Sequence, residues 1–142
     1  MPTNHPALTL FSELLAAPSP SSREEGVAAI VRAKLDSWGY SHQTDGAGNV
    51  CVRLTGRKAD GPLCCFASHM DEIGMVVTRV EADGSLRVDR SGGLYAWKHG
   101  EGPVEILGDE GTITGVLSMG STHTTATNQA IEWPGVRVLT GL

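Results

Sequence analysis

Apolar residues recur at helical spacing near the start of the chain. Leu8, Leu10, Phe11, Leu14 and Leu15 mark a short amphipathic helix from about Pro6 to Ala17, closed by Pro18-Ser19-Pro20. Ser22 and Glu25 stand at the positions of a capping box. Val27, Ile30, Val31, Leu35 and Trp38 then recur on one face up to Gly39, predicting a second helix. Tyr40 to Thr44 and Val50 to Leu54 read as strands joined by the turn Asp45-Gly46-Ala47-Gly48-Asn49. The apolar run Leu63 to Ser68 lacks alternation, the pattern of a central strand covered on both faces. Two helices followed by strands predict an α/β layer.

After Gly74 the pattern becomes one of short β segments. Met75 to Val80, Leu86 to Val88, Val104 to Leu107 and Thr112 to Leu117 are separated by Asp83-Gly84, Gly92-Gly93, Gly102-Pro103 and Asp109-Glu110-Gly111. They predict a separate small β-domain. Ser118 to Gln129 is polar and threonine-rich and is expected to be a mobile loop, with another strand from Val136 to Leu139.

The 142 residues suffice for a real core, and 18 glycines with 19% charged residues describe a turn-rich globular chain. A net charge of -5, with 11 scattered Lys and Arg, excludes a nucleic-acid surface as the expected partner site. No window has the roughly 18 to 20 apolar residues of a membrane span and no signal segment opens the chain, so no membrane association and a cytoplasmic location are expected. Cys51, Cys64 and Cys65 lack zinc-site spacing and read as reduced, buried small hydrophobes.

The candidate chemistry sits where the Leu63 to Ser68 run ends, in His69-Met70-Asp71-Glu72. Side chains two apart on an extended segment project to one side, so His69 and Asp71 can share a cleft wall while Met70 turns away. A ligating imidazole usually passes its other N–H to a carboxylate. His69 is the expected metal ligand and Asp71 the carboxylate that orients it. Glu72 is given no catalytic role. Glu24-Glu25 is explained by the positive end of the second helix. His5, His42 and His99 read as solvated side chains. Tyr95 and Trp97 read either as an interface anchor or as cover for the β-domain core.

With these residues assembled, the chain resembles the N-terminal part of the dinuclear metallo-aminopeptidases of the glutamyl and deblocking aminopeptidase family. The resemblance is carried by His69-Met70-Asp71-Glu72-Ile73-Gly74, by Asp45-Gly46-Ala47-Gly48-Asn49, and by Gly92-Gly93, Gly115-Val116 and His123. It implies a zinc-peptidase-like α/β/α domain beginning at residues 1–71. A PDZ-like small β-barrel for homo-oligomer assembly would be inserted at 72–132, with a return strand to the catalytic domain at 133–142.

The implied site holds two zinc or cobalt ions bridged by a carboxylate and a water, acting on peptide N-termini. His69 matches one metal ligand and Asp71 its orienting carboxylate. His123 matches a histidine of the inserted domain's loop. The remaining ligands and the general base have no match, so the chain alone is expected to be inactive. The alternative reading is a noncatalytic assembly or peptide-binding module built on the β-domain. A glycosidase role lacks an acid and nucleophile carboxylate pair.

Overall fold

The computed structural model of the chain describes residues 5–58, 60–121, 123 and 129–142. These form two compact units, residues 1–72 and 73–142. The fold is mixed α/β.

In the first unit, helix α1 spans Pro6–Leu15. Pro6 supplies a helical φ where no N–H is needed, and His5 is the N-cap, its Nδ1 accepting from the Ala7 N–H at 3.2 Å. His5 is exposed, as expected, and also caps the helix. Helix α2 spans Glu25–Ser37 and buries Val27 and Ala28. The expected capping box is not made. Ser22 takes a left-handed φ of 73°, its N–H donates to Glu24 Oε1 at 2.7 Å, and Glu24 becomes the N-cap without a side-chain bond to the helix.

Strands β1, His42–Thr44, and β2, Val50–Val52, pair antiparallel through the predicted turn. Asp45 holds that turn. One carboxylate oxygen accepts from the Ala47 and Asn49 N–H groups, each at 2.9 Å, and the other accepts from Asn49 Nδ2 at 2.8 Å. Those bonds, the Asn49 side chain first, hold the Asp45 carboxyl below its ordinary pKa.

The expected central strand at Leu63 to Ser68 is absent. The segment enters no ladder, and Phe66 is 94% exposed. Apolar residues alone do not make a strand. The ladder bonds come from neighbours, and among the described residues nothing pairs with this run. The same outcome corrects the cysteines: all three are free, as expected, but exposed.

The second unit is a five-stranded antiparallel sheet. Its strands are β3 (Met75–Val80), β4 (Leu86–Arg90), β5 (Gly102–Leu107), β6 (Thr112–Ser118) and β7 (Arg137–Leu139), in the spatial order β3-β4-β7-β6-β5. Residues 133–142, expected to return to the first unit, instead supply β7 between β4 and β6. The reason is burial: Val136 and Val138, on either side of Arg137, are 0% and 3% exposed in this unit's core.

Around them pack Leu86 and Val88 of β4, Leu117 of β6, Ala96 and Trp133. Trp133 opens a short 3-10 turn, and its indole Nε1–H donates to the Leu94 carbonyl at 3.0 Å. The expected barrel is not closed by ladder bonds, since β3 and β5 are edges. Pro103 in β5 has no N–H to give, which suits an edge position. Gly84 turns β3 into β4 with φ 79°, and the Gly84 carbonyl accepts from Thr140 Oγ1 at 3.0 Å.

Candidate functional site

The local chain direction around His69 brings the predicted pair together. His69 Nδ1 lies 2.9 Å from Asp71 Oδ1 and 2.9 Å from the Asp71 carbonyl oxygen. Both partners are acceptors, so Nδ1 is the protonated nitrogen of the neutral ring. Nε2 then carries the lone pair, and the side chain is 83% exposed. Nε2 is thereby the ring nitrogen that could hold a metal ion.

Asp71 is held from its other side. Its Oδ2 accepts from the Ser21 hydroxyl at 2.6 Å. That bond first, and the His69 imidazole second, hold the Asp71 carboxyl below its ordinary value of 3.8. Asp71 is therefore ionised throughout the neutral range and acceptor-only.

Glu72 has a structural task. Its Oε1 accepts from the Ser19 N–H at 2.8 Å, and its own N–H donates to the Ser19 carbonyl at 2.9 Å. A parallel bridge joins Pro20 to Glu72. The loop after α1 is thus fastened to the end of the His69 segment at three consecutive residues, Ser19, Pro20 and Ser21. The sequence reading missed these partners. The Pro18-Ser19-Pro20-Ser21 composition signals a turn but does not say what the turn touches.

The other histidines fall elsewhere. His42 Nε2 lies 3.1 Å from Asp36 Oδ1 with its side chain 16% exposed, so it is a packed, paired residue rather than a solvated one. His99 is exposed and lies edge-on to Trp133 at 6.3 Å between ring centroids. His123, in the second unit, is exposed, with its N–H donating to Ser121 Oγ at 3.2 Å. The surrounding threonine-rich loop falls largely outside the described residues.

Tyr95 and Trp97 are both about half exposed, with the Lys98 ammonium 5.3 and 5.2 Å from their ring centroids. They flank Ala96, and it is Ala96 that enters the core. Among the described residues no three His, Cys, Asp or Glu side chains converge as a metal cage. No helix among them is long and apolar enough to cross a membrane.

A family model described as M42 glutamyl aminopeptidase matches residues 48–138, which include the His69 segment and most of the second unit. The chain belongs to this family. SgcX of Escherichia coli K12, named as a candidate aminopeptidase, is 30% identical over 128 residues, covering 90% of this chain and 34% of SgcX. Among solved structures, a TET aminopeptidase from a marine-sediment thaumarchaeon superposes with a TM-score of 0.84 at 22% identity, over 95% of this chain and 38% of that one. The TET1 peptidase of Pyrococcus horikoshii gives 0.77 at 22% identity, over 94% and 40% respectively. That peptidase is described as assembling into a tetrahedron or a large octahedral shell. These likenesses fix the fold. The chain spans a little over a third of the length of these relatives.

Proposed function

We propose that this M42-type chain is the metal-ligand-bearing front portion of an aminopeptidase, with His69 as one ligand of a two-metal site and Asp71 as the carboxylate that orients it. The observation that carries this is the Nδ1-to-Asp71 bond, which leaves Nε2 exposed with its lone pair free. The donor set fits zinc or cobalt, both of which accept imidazole nitrogen. His69 Nε2 would hold one such ion, and the bound metal would supply Lewis-acid chemistry for hydrolysis at a peptide N-terminus.

This chain's own contribution is narrower. Asp71 fixes the ring orientation and tautomer of His69, and Ser19, Pro20 and Glu72 fix the backbone that carries both. One imidazole and one orienting carboxylate cannot hold two ions, so the 142 residues alone are expected to turn over no substrate. Leu63 and Phe66, exposed in the segment that leads to His69, support the reading that this unit needs further structure against it.

The second unit, residues 73–142, is proposed as the inserted PDZ-like assembly domain and a route to homo-oligomers. Its unclosed edges and the assemblies described for the P. horikoshii peptidase support this. The same edges support the alternative of a noncatalytic peptide-binding module, in which an extended peptide adds to β3 or β5.

The test is zinc and cobalt titration of the full chain beside its His69→Ala and Asp71→Ala variants, with an aminoacyl-anilide assay on the same samples. Expected are weak binding lost in His69→Ala, binding weakened about tenfold in Asp71→Ala, and no turnover. Metal uptake indifferent to His69→Ala refutes the ligand assignment. Metal-dependent turnover abolished by His69→Ala refutes the proposed incompleteness.

A further inference from the structure

The loop between α1 and α2 carries a serine whose chemistry the proposed metal site does not yet use. Ser21 lies 50 residues before Asp71, and its hydroxyl meets Asp71 Oδ2 at 2.6 Å. The opposite oxygen, Oδ1, is the one that accepts from His69 Nδ1 at 2.9 Å. The carboxylate is therefore clamped between a hydroxyl on one oxygen and an imidazole on the other, in the series Ser21, Asp71, His69.

A lone carboxylate on a short side chain rotates about its terminal torsion, which is broad and nearly two-fold. Occupying one oxygen with a fixed donor restricts that rotation and leaves the other oxygen aimed at the ring. The donor itself is fixed. Ser19 is 4% exposed and exchanges two bonds with Glu72, at 2.8 and 2.9 Å. Pro20 cannot swing freely about φ and bridges to Glu72. Ser22 takes the left-handed φ of 73° that a serine rarely adopts. A non-glycine residue held in this region, next to the serine that reaches the candidate site, is the placement in which local backbone cost is tolerated for position.

We propose that Ser21 is a positioning residue. Its hydroxyl orients the Asp71 carboxylate, which together with the Asp71 carbonyl oxygen, also 2.9 Å from Nδ1, holds His69 as the Nδ1–H tautomer with Nε2 presented to a divalent cation. This rests on the reading of His69 and Asp71 as ligand and orienting group. A side chain that merely packed the loop would leave the protonation site of His69 unchanged. The hydroxyl acts through the carboxylate, so the tautomer ratio is the quantity that reports it.

The test is long-range proton–nitrogen correlation NMR of the histidine rings in the full 142-residue chain, at a pH where they are neutral. The His69 signals are identified by their loss in His69→Gln. Wild type is compared with Ser21→Ala, Ser21→Cys, Ser21→Thr and Asp71→Ala. Cysteine keeps nearly the size of serine with a weak donor, and threonine keeps the hydroxyl.

The expected result is a wild-type His69 mainly in the Nδ1–H form. Its Nδ1–H to Nε2–H ratio should fall roughly threefold in Ser21→Ala and Ser21→Cys, the scale of an exposed charged contact, and stay near wild type in Ser21→Thr. If Asp71→Ala lowers the ratio while Ser21→Ala and Ser21→Cys leave it unchanged, the role of Ser21 is overturned and the His69–Asp71 reading stands. If wild-type His69 shows no preference for Nδ1–H and Asp71→Ala has no effect, that underlying reading falls and the proposal with it. Should Ser21→Ala perturb the backbone amide spectrum beyond the loop, the comparison of Ser21→Cys with Ser21→Thr decides.

Discussion

Gly115→Ala should be among the most damaging single-methyl additions to the second unit. Gly115 lies in β6, opposite Val104 of β5, and an added Cβ would stand 2.6 Å from Val138 Cγ1, 2.9 Å from Ile106 Cδ1 and 3.1 Å from the Leu139 carbonyl oxygen. The first and third of these cannot yield cheaply. Val138 is 3% exposed and β-branched, with restricted rotation about χ1, and Leu139 is paired with Val116 in the ladder. Only the tip of Ile106 can swing aside.

Overpacking of this kind costs about 1 to 3 kcal/mol. Two rigid neighbours place the substitution toward the upper end, about 2.5 kcal/mol. The unit spans residues 73–142, a length for which total stability is roughly 4 to 10 kcal/mol. A melting temperature lower by roughly 10 to 20 °C follows. The assay is urea and thermal unfolding followed by tryptophan fluorescence, because Trp133 is 8% exposed in the core beside β7. Gly93→Ala is the control: a Cβ there meets nothing within 4 Å. It should change stability by no more than about 0.5 kcal/mol. A Gly115→Ala protein as stable as this control would refute the close β6–β7 approach, and with it the placement of β7 at the centre of the sheet. Gly115 also belongs to the Gly115-Val116 part of the family resemblance, which thereby acquires a physical reason: room for β7.

Two further outcomes test the same unit. Trp133→Phe keeps most of the apolar contact but removes the indole donor from the Leu94 carbonyl at 3.0 Å; a loss of about 1 to 2 kcal/mol in urea unfolding is expected, and an unchanged midpoint would count against that bond. Glu81 is bonded to Arg87, with Arg79 3.1 Å away, and the Arg87 hydrogen bond is the main cause that holds its carboxyl below its ordinary 4.5. A carboxyl lowered in the folded state stabilises above its unfolded pKa and ceases to as pH falls through the folded value. Stability of the wild-type unit should therefore decline below about pH 5, and less steeply in Glu81→Gln; equal slopes for the two proteins would remove Glu81 from the account.

Much of this protein was legible from local pattern. The α1 and α2 helices, the β1–β2 hairpin and strands β3, β4 and β6 lie where apolar spacing and glycine turns put them, and β5 differs only in taking in Gly102-Pro103, which was expected to precede it, because each is decided by residues within a few positions of one another. The geometry of His69 with Asp71 was legible for the same reason: two residues apart, they can meet without help from the rest of the chain. The structure shows that contact; the metal chemistry built on it is the proposal.

What the sequence could not decide is what depends on distant partners. Leu63 to Ser68 has the composition of a strand but, among the described residues, no neighbour to bond, so it enters no ladder and leaves Cys64 and Cys65 exposed. Ser22 and Glu25 spell a capping box. The loop, fastened to Glu72 through Ser19, instead gives Ser22 a left-handed turn and its N–H to Glu24. Val136 to Leu139 announces a strand without saying where, and burial of Val136 and Val138 sets it between β4 and β6. The Ser21 hydroxyl is an ordinary turn residue until folding carries it across 50 positions to Asp71. Local spacing determined the elements and the histidine–aspartate pair, whereas partners far apart along the chain, which only tertiary contacts join, determined which elements formed ladders and what holds that pair in place.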